Sequence, residues 1–276
     1  LTERKREIPP LIVIDQRSLV NQEYPPQKWV IPGILPAGLT ILAGRPKSGK
    51  SILALNLSLA VANGYLALES KSFEAEQGSV LYCALEDSYQ RLQARSINMI
   101  SHMQLPASPA LQFTTDLQRL PAGMTQIEDW LVQVANPRLV VIDILARVKE
   151  QSTGSGTLYD IEYSSLGQLQ KFAQKSEIAL LLVHHTRKAS VLATPDQFDS
   201  ISGSTAITGA ADTSMLLTRH EEGQSILHVK GRDVTEQELE LCLNQEALAW
   251  SYTGPVISRQ EAPRQEEIIK LLQTTD

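Results

Sequence analysis

The residues with the clearest chemistry run from Gly44 through Arg45, Pro46, Lys47, Ser48, Gly49, Lys50 and Ser51 to Ile52. They fit the pattern G-x-x-x-x-G-K-[ST], a phosphate-binding loop. Gly44 and Gly49 let the backbone close around an anion where a Cβ would clash. Loop amides and the N-terminus of a following helix aim partial positive charge at phosphate. Lys50 has the reach for β- and γ-phosphates, and the Ser51 hydroxyl is a ligand for Mg²⁺. The expectation is a nucleoside triphosphate, ATP with Mg²⁺.

Three further groups lie at the ends of apolar runs. Leu139-Val-Val-Ile142 stops at Asp143, a second carboxylate for the metal beside the phosphates. Ser79 to Leu85 stops at Glu86-Asp87. Glu86 is the candidate base for an attacking water. Asp87, with Ser88, is read as capping the next helix through Arg95, and the alternative makes both acids caps. Arg91 and Arg95 share one helix face and read as solvated or ion-paired. Ala179 to Val183 stops at His184-His185. Adjacent residues of a strand point to opposite faces, which argues against a shared metal. A γ-phosphate sensor is preferred there over a buried, hydrogen-bonded histidine.

Those positions require an α/β fold: a mostly parallel sheet covered on both faces by helices, with antiparallel strands added at the C-terminal end. Strands are predicted at 39–43, 79–85, 111–114, 139–144, 179–184 and 213–218, and helices at 50–63, 89–103, 124–135, 159–176 and 204–211. Antiparallel strands are expected at 224–230, 239–243 and 249–252. Residues 1–28, with Pro9-Pro10 and Pro25-Pro26, read as an arm or linker in which Leu11–Ile14 forms a short strand. Residues 29–254 form the main domain. Residues 255–276 read as a helical extension or the start of another domain. Segments 147–158 and 186–203 are long and polar, the kind of loop that carries function.

The 276 residues, 42% of them hydrophobic, suffice for one large core. A net charge of −6 offers no global basic footprint for nucleic acid. Cys83 and Cys242, each in an apolar run, are expected to be reduced core thiols of a cytoplasmic protein. No run approaches the ~20 apolar residues of a membrane span, and no signal peptide is expected.

In order and spacing, Leu39–Ser51, Ala84–Asp87, Val140–Asp143, Leu182–His185, Gly203–Ile207 and Val229–Asp233 resemble the RecA-like ATPases of the hexameric plasmid helicase RepA type. Those are relatives of the DnaB helicases and KaiC-like ATPases. The resemblance implies that Glu86 activates water and that His184 and His185 sit at the γ-phosphate. It also implies that Lys230 and Arg232 reach the nucleotide of a neighbouring subunit in a ring of six. A strand's period of two puts both charges on one side. The residues alone favour a surface pair balanced by Asp233 and Glu236. By the same resemblance the two long loops contact single-stranded DNA, through Arg147 and Lys149 in the first and Arg187 and Lys188 in the second. The function expected is a ring-forming ATPase acting on single-stranded DNA, a replicative-helicase-like protein of a mobile element with replication or other protein partners. The alternative is a regulatory or scaffolding ATPase whose nucleotide state controls assembly with protein partners.

Overall fold

A computed structural model describes residues 11–148, 158–186, 198, 209–219 and 224–256. In chain order the elements are α1 (Gln16–Asn21), β1 (Trp29–Ile31), β2 (Leu35–Pro36), β3 (Gly38–Gly44), α2 (Lys50–Asn63) and β4 (Ser79–Ala84). There follow α3 (Tyr89–Met103), β5 (Leu111–Thr114), α4 (Ala122–Gln133), β6 (Pro137–Asp143), α5 (Leu158–Ser176) and β7 (Ala179–His185). The last four are β8 (Thr213–Arg219), β9 (Gln224–Gly231), β10 (Gln237–Asn244) and β11 (Ala249–Pro255).

A nine-stranded sheet in the order β11-β10-β9-β8-β3-β7-β6-β4-β5 forms the body. From β8 to β5 the pairings are parallel, and from β8 outward to β11 they are antiparallel. β3 is central, flanked by β7 and β8, and all seven of its residues are buried. Continuous apolar runs suit strands covered on both faces. One core lies on the α2 face and includes Leu53, Leu57, Val141, Val183 and Trp250; the other lies on the α5 face and includes Ile41, Ile142, Leu169, Phe172 and Leu182. α2 is buried from Leu53 to Ala62, so it is enclosed on all sides rather than amphipathic. The enclosure is completed by β11, which curls over α2 from the far end of the antiparallel half.

The expected α/β order therefore stands, with strand and helix ends moved by at most three residues. Two expectations are corrected. Leu11–Ile14 forms no strand and lies exposed, unpaired with any strand among the described residues. Cys83 is a core thiol, and burial pushes it up to about 12, but Cys242 is exposed on the outward face of β10. β1, β2 and α1 were not anticipated. The expected helix at 204–211 and the two long polar segments fall largely outside the described residues.

Candidate nucleotide site

The parallel strands all end at one edge of the sheet, and that edge holds the site. Gly44 of β3 lies in register with His185 of β7 and Leu217 of β8, and Ala84 of β4 with Asp143 of β6. The phosphate loop leaves β3 at Gly44 and enters α2 at Lys50. Gly49 occupies the helix N-cap at φ +95°, without any side-chain cap, so the first-turn amides remain available to an anion. A Cβ at Gly49 would lie 2.7 Å from the Trp250 ring, so glycine is required there by space as well as by backbone angle. Lys50 Nζ donates to the Gly44 and Arg45 carbonyls at 2.9 and 2.8 Å. Burial draws its ammonium down to about 8, against the opposing pull of Asp143.

Asp143 is buried, and burial raises its carboxyl above the ordinary value; hydrogen bonds from Ser51 and Tyr82 and the Lys50 charge counter that rise. Tyr82 donates to Asp143 Oδ2 at 2.9 Å. His185 faces the cleft while His184, one residue earlier, turns to the α5 side of the sheet, as strand geometry requires. Burial first, then the nearby Lys50 charge, hold His185 below the usual histidine range, so it is neutral at pH 7. Its Nδ1 and the Ser48 hydroxyl are buried without a hydrogen-bond partner. Orphaned polar atoms beside the phosphate loop fit an incoming phosphate. Ser51 and Asp143, already adjacent, fit a Mg²⁺ ion, which needs only one or two protein oxygens beside the substrate phosphates.

The cleft measures about 310 Å³ and is lined by Lys47–Ile52, Arg95, His185, Arg219, Leu243, Gln245 and Leu248. Glu86, just beyond β4, is half exposed, and Arg147 Nε donates to its Oε1 at 3.3 Å. Arg147, expected at DNA, thus lies beside the candidate base. Lys149, Arg187 and Lys188 lie outside the described residues. Ser88 is the N-cap of α3, accepting from the Arg91 amide at 3.4 Å. Asp87 instead pairs with both Arg91 and Arg95.

Lys230 and Arg232 are elsewhere. Ser214 pairs with Lys230 and Thr213 with Gly231, which puts both basic residues beside the start of β8 and β3. From Leu39 to Gly44 a strand rises roughly 17 Å, at ~3.3 Å per residue, so they sit at the edge opposite this chain's own phosphate loop. Lys230 lies 5.7 Å from the Phe198 ring centroid and 4.0 Å from Glu236. Arg232 Nη1 is 3.4 Å from Asp212 Oδ1.

A family model described as an AAA domain matches residues 3–191. The chain belongs to the AAA domain family. As an AAA domain it is an ATPase. Its fold is shared with a solved structure of an ATPase domain, at a TM-score of 0.63 and 14% identity, over 79% of this chain and 85% of that one. It is shared too with a DnaB-like replicative helicase whose structure addresses its interactions with primase, at 0.61 and 14%. That match covers 78% of this chain and 58% of the helicase chain. The fold is thus the RecA-like one of helicase ATPase domains.

Sequence reasoning did not single out Tyr82, Trp250, Arg219 or Asp212. Tyr82 carried a readable signal, since a phenol in a buried strand needs a partner for its hydroxyl. Trp250 carried none, because its contact with Gly49 joins residues 201 positions apart.

Proposed function

We propose that this AAA domain is one subunit of an ATP-hydrolysing ring that acts on single-stranded DNA. The loop from Gly44 to Ile52 holds the triphosphate, with Lys50 exchanging its two carbonyl partners for β- and γ-oxygens. Ser51 and Asp143 would hold Mg²⁺, which when bound would supply charge neutralisation for the phosphates. Glu86 orients and deprotonates the attacking water once its carboxylate leaves Arg147. His185 contacts the γ-phosphate as a neutral donor, and His184 backs it from the opposite face. Lys230 and Arg232 serve the site of an adjacent subunit, stabilising charge in the phosphoryl-transfer transition state.

The observation that carries this reading is the separation of the basic pair from the chain's own phosphate loop. Groups held at opposite edges of one rigid sheet cannot meet, so a site using both takes them from two chains. The likeness in fold to a DnaB-like replicative helicase is in keeping with a role in replication. Single-stranded DNA as the polymer, and a mobile element as the setting, rest on the resemblance of the motifs to RepA-type helicases. The net charge of −6 and the capture of Arg147 by Glu86 favour the second reading, a regulatory ATPase that assembles with protein partners.

ATPase rate measured with and without single-stranded DNA separates the two. Stimulation by DNA that fades with added salt supports the motor. No stimulation and no binding at low salt rules it out and leaves the regulatory reading.

A further inference from the structure

Asp212 is a buried carboxylate at the sheet edge away from the nucleotide, and it belongs to no part of the site described above. Its surroundings are built around it. Oδ2 accepts the Leu39 amide at 2.9 Å, at the start of β3. Oδ1 accepts Gln170 and Gln174 of α5 at 2.7 and 3.2 Å, and lies 3.4 Å from Arg232 Nη1. The Asp212 carbonyl accepts the Arg232 amide at 2.9 Å. Two glycines make room: a Cβ on Gly38 would fall 2.8 Å from Asp212 Oδ2, and one on Gly231 would fall 2.9 Å from the Asp212 carbonyl.

A buried carboxylate is costly unless charge and hydrogen bonds compensate it. Four side-chain or amide donors do so here, and Arg232 supplies the only cation among the described residues that pairs with it. The Arg232 side chain is itself 61% exposed, tied at its base and along one nitrogen while the rest of the guanidinium faces outward. An arginine on a long stem loses much rotamer freedom when it must meet a phosphate at one point. A fixed carboxylate behind it reduces that loss in advance.

We infer that Asp212 is the positioning residue for Arg232, holding the guanidinium in the pose in which it meets the neighbouring subunit's nucleotide. This rests on the proposed action of Arg232 in trans. The same carboxylate grips the Leu39 amide at the start of β3, whose other end is the phosphate loop. Arg232 and the phosphate loop are therefore tied to one strand, so a shift of the arginine at one interface bears on the loop at the next.

The test compares Asp212→Asn and Arg232→Ala, each alone and each mixed with Lys50→Ala subunits. Asp212→Asn alone is expected to lose roughly 10- to 100-fold in kcat, the scale of a misplaced catalytic group, with KM for ATP unchanged. A fluorescent ATP analogue should bind it as it binds the parent chain. Lys50→Ala subunits offer an intact Arg232 beside a dead loop, so mixing should raise activity above either parent. Wild-type kcat for Asp212→Asn overturns the inference. So does recovery on mixing for Arg232→Ala but not for Asp212→Asn. Recovery for neither overturns the action of Arg232 in trans, and the inference with it. If Asp212→Asn does not fold, Asp212→Glu, which keeps the charge one methylene out of place, is read in the same assay.

Discussion

Lys50 sits in a loop whose own carbonyls hold it where a phosphate would. With its ammonium drawn down to about 8 by burial, it is charged below that pH and increasingly neutral above it. A triphosphate favours the charged form, so the pKa rises on binding and protons are taken up near pH 8. ATP affinity is then fullest below pH 8 and falls, by at most about tenfold per pH unit, as pH rises through it. Calorimetric titrations in two buffers of different ionisation heat read the uptake directly. A flat affinity across that range with no proton uptake contradicts the assignment. At this scale much was legible beforehand: Asp143 and Glu86 each follow an apolar run, Lys50 and Ser51 close the loop that leaves another, and that local pattern alone points them to one edge. Arg232 was placed by its strand, but its partner Asp212 was not, because their pairing depends on how β8 and β9 register.

Among the elements, the β10–β11 hairpin has the least expected role. Trp250 of β11 donates its indole N–H to the Gly49 carbonyl at 3.2 Å, and its backbone N–H to Asn56 Oδ1 at 2.7 Å. Asn56 Nδ2 returns a bond to the Leu248 carbonyl at 3.0 Å. The hairpin thus clamps the phosphate loop and the helix that follows it. Trp250→Ala should cost about 3–5 kcal/mol in urea unfolding, from lost burial and the cavity left behind. It should also weaken ATP binding, whereas Trp250→Phe, which keeps most of the volume, should cost nearer ~1 kcal/mol for the lost hydrogen bond. Equal losses for the two would show that the ring's bulk is irrelevant. Strand and helix identities were readable from periodicity, whereas the curl of the antiparallel half over α2 was not. Periodicity reports which face of an element is apolar, and says nothing about which distant element covers it. Cys242 illustrates the point: an apolar run marked a strand, but the neighbours that leave its thiol outside are set by β9 and β11.

The whole molecule, on the proposed reading, completes a nucleotide site only beside another copy. Specific ATPase activity should therefore fall on dilution through the concentration at which subunits separate, and recover on reconcentration. Activity per subunit that stays constant to the lowest concentrations would mean that each chain is sufficient. The central strand also gives the subunit a polarity. One end of β3 carries the receptor of a contact and the other end anchors the donor, about 17 Å apart. Across a two-fold axis two such bodies would exchange both contacts and stop at a pair, whereas in a row of copies each gives to one neighbour and takes from the other. In the proposed ring the contact is of the second, heterologous kind, and repeating it either closes into a cycle or continues as an open helix. The pitch of that choice is set by the angle between neighbours, so a ring that opens by one subunit becomes the first turn of a spiral.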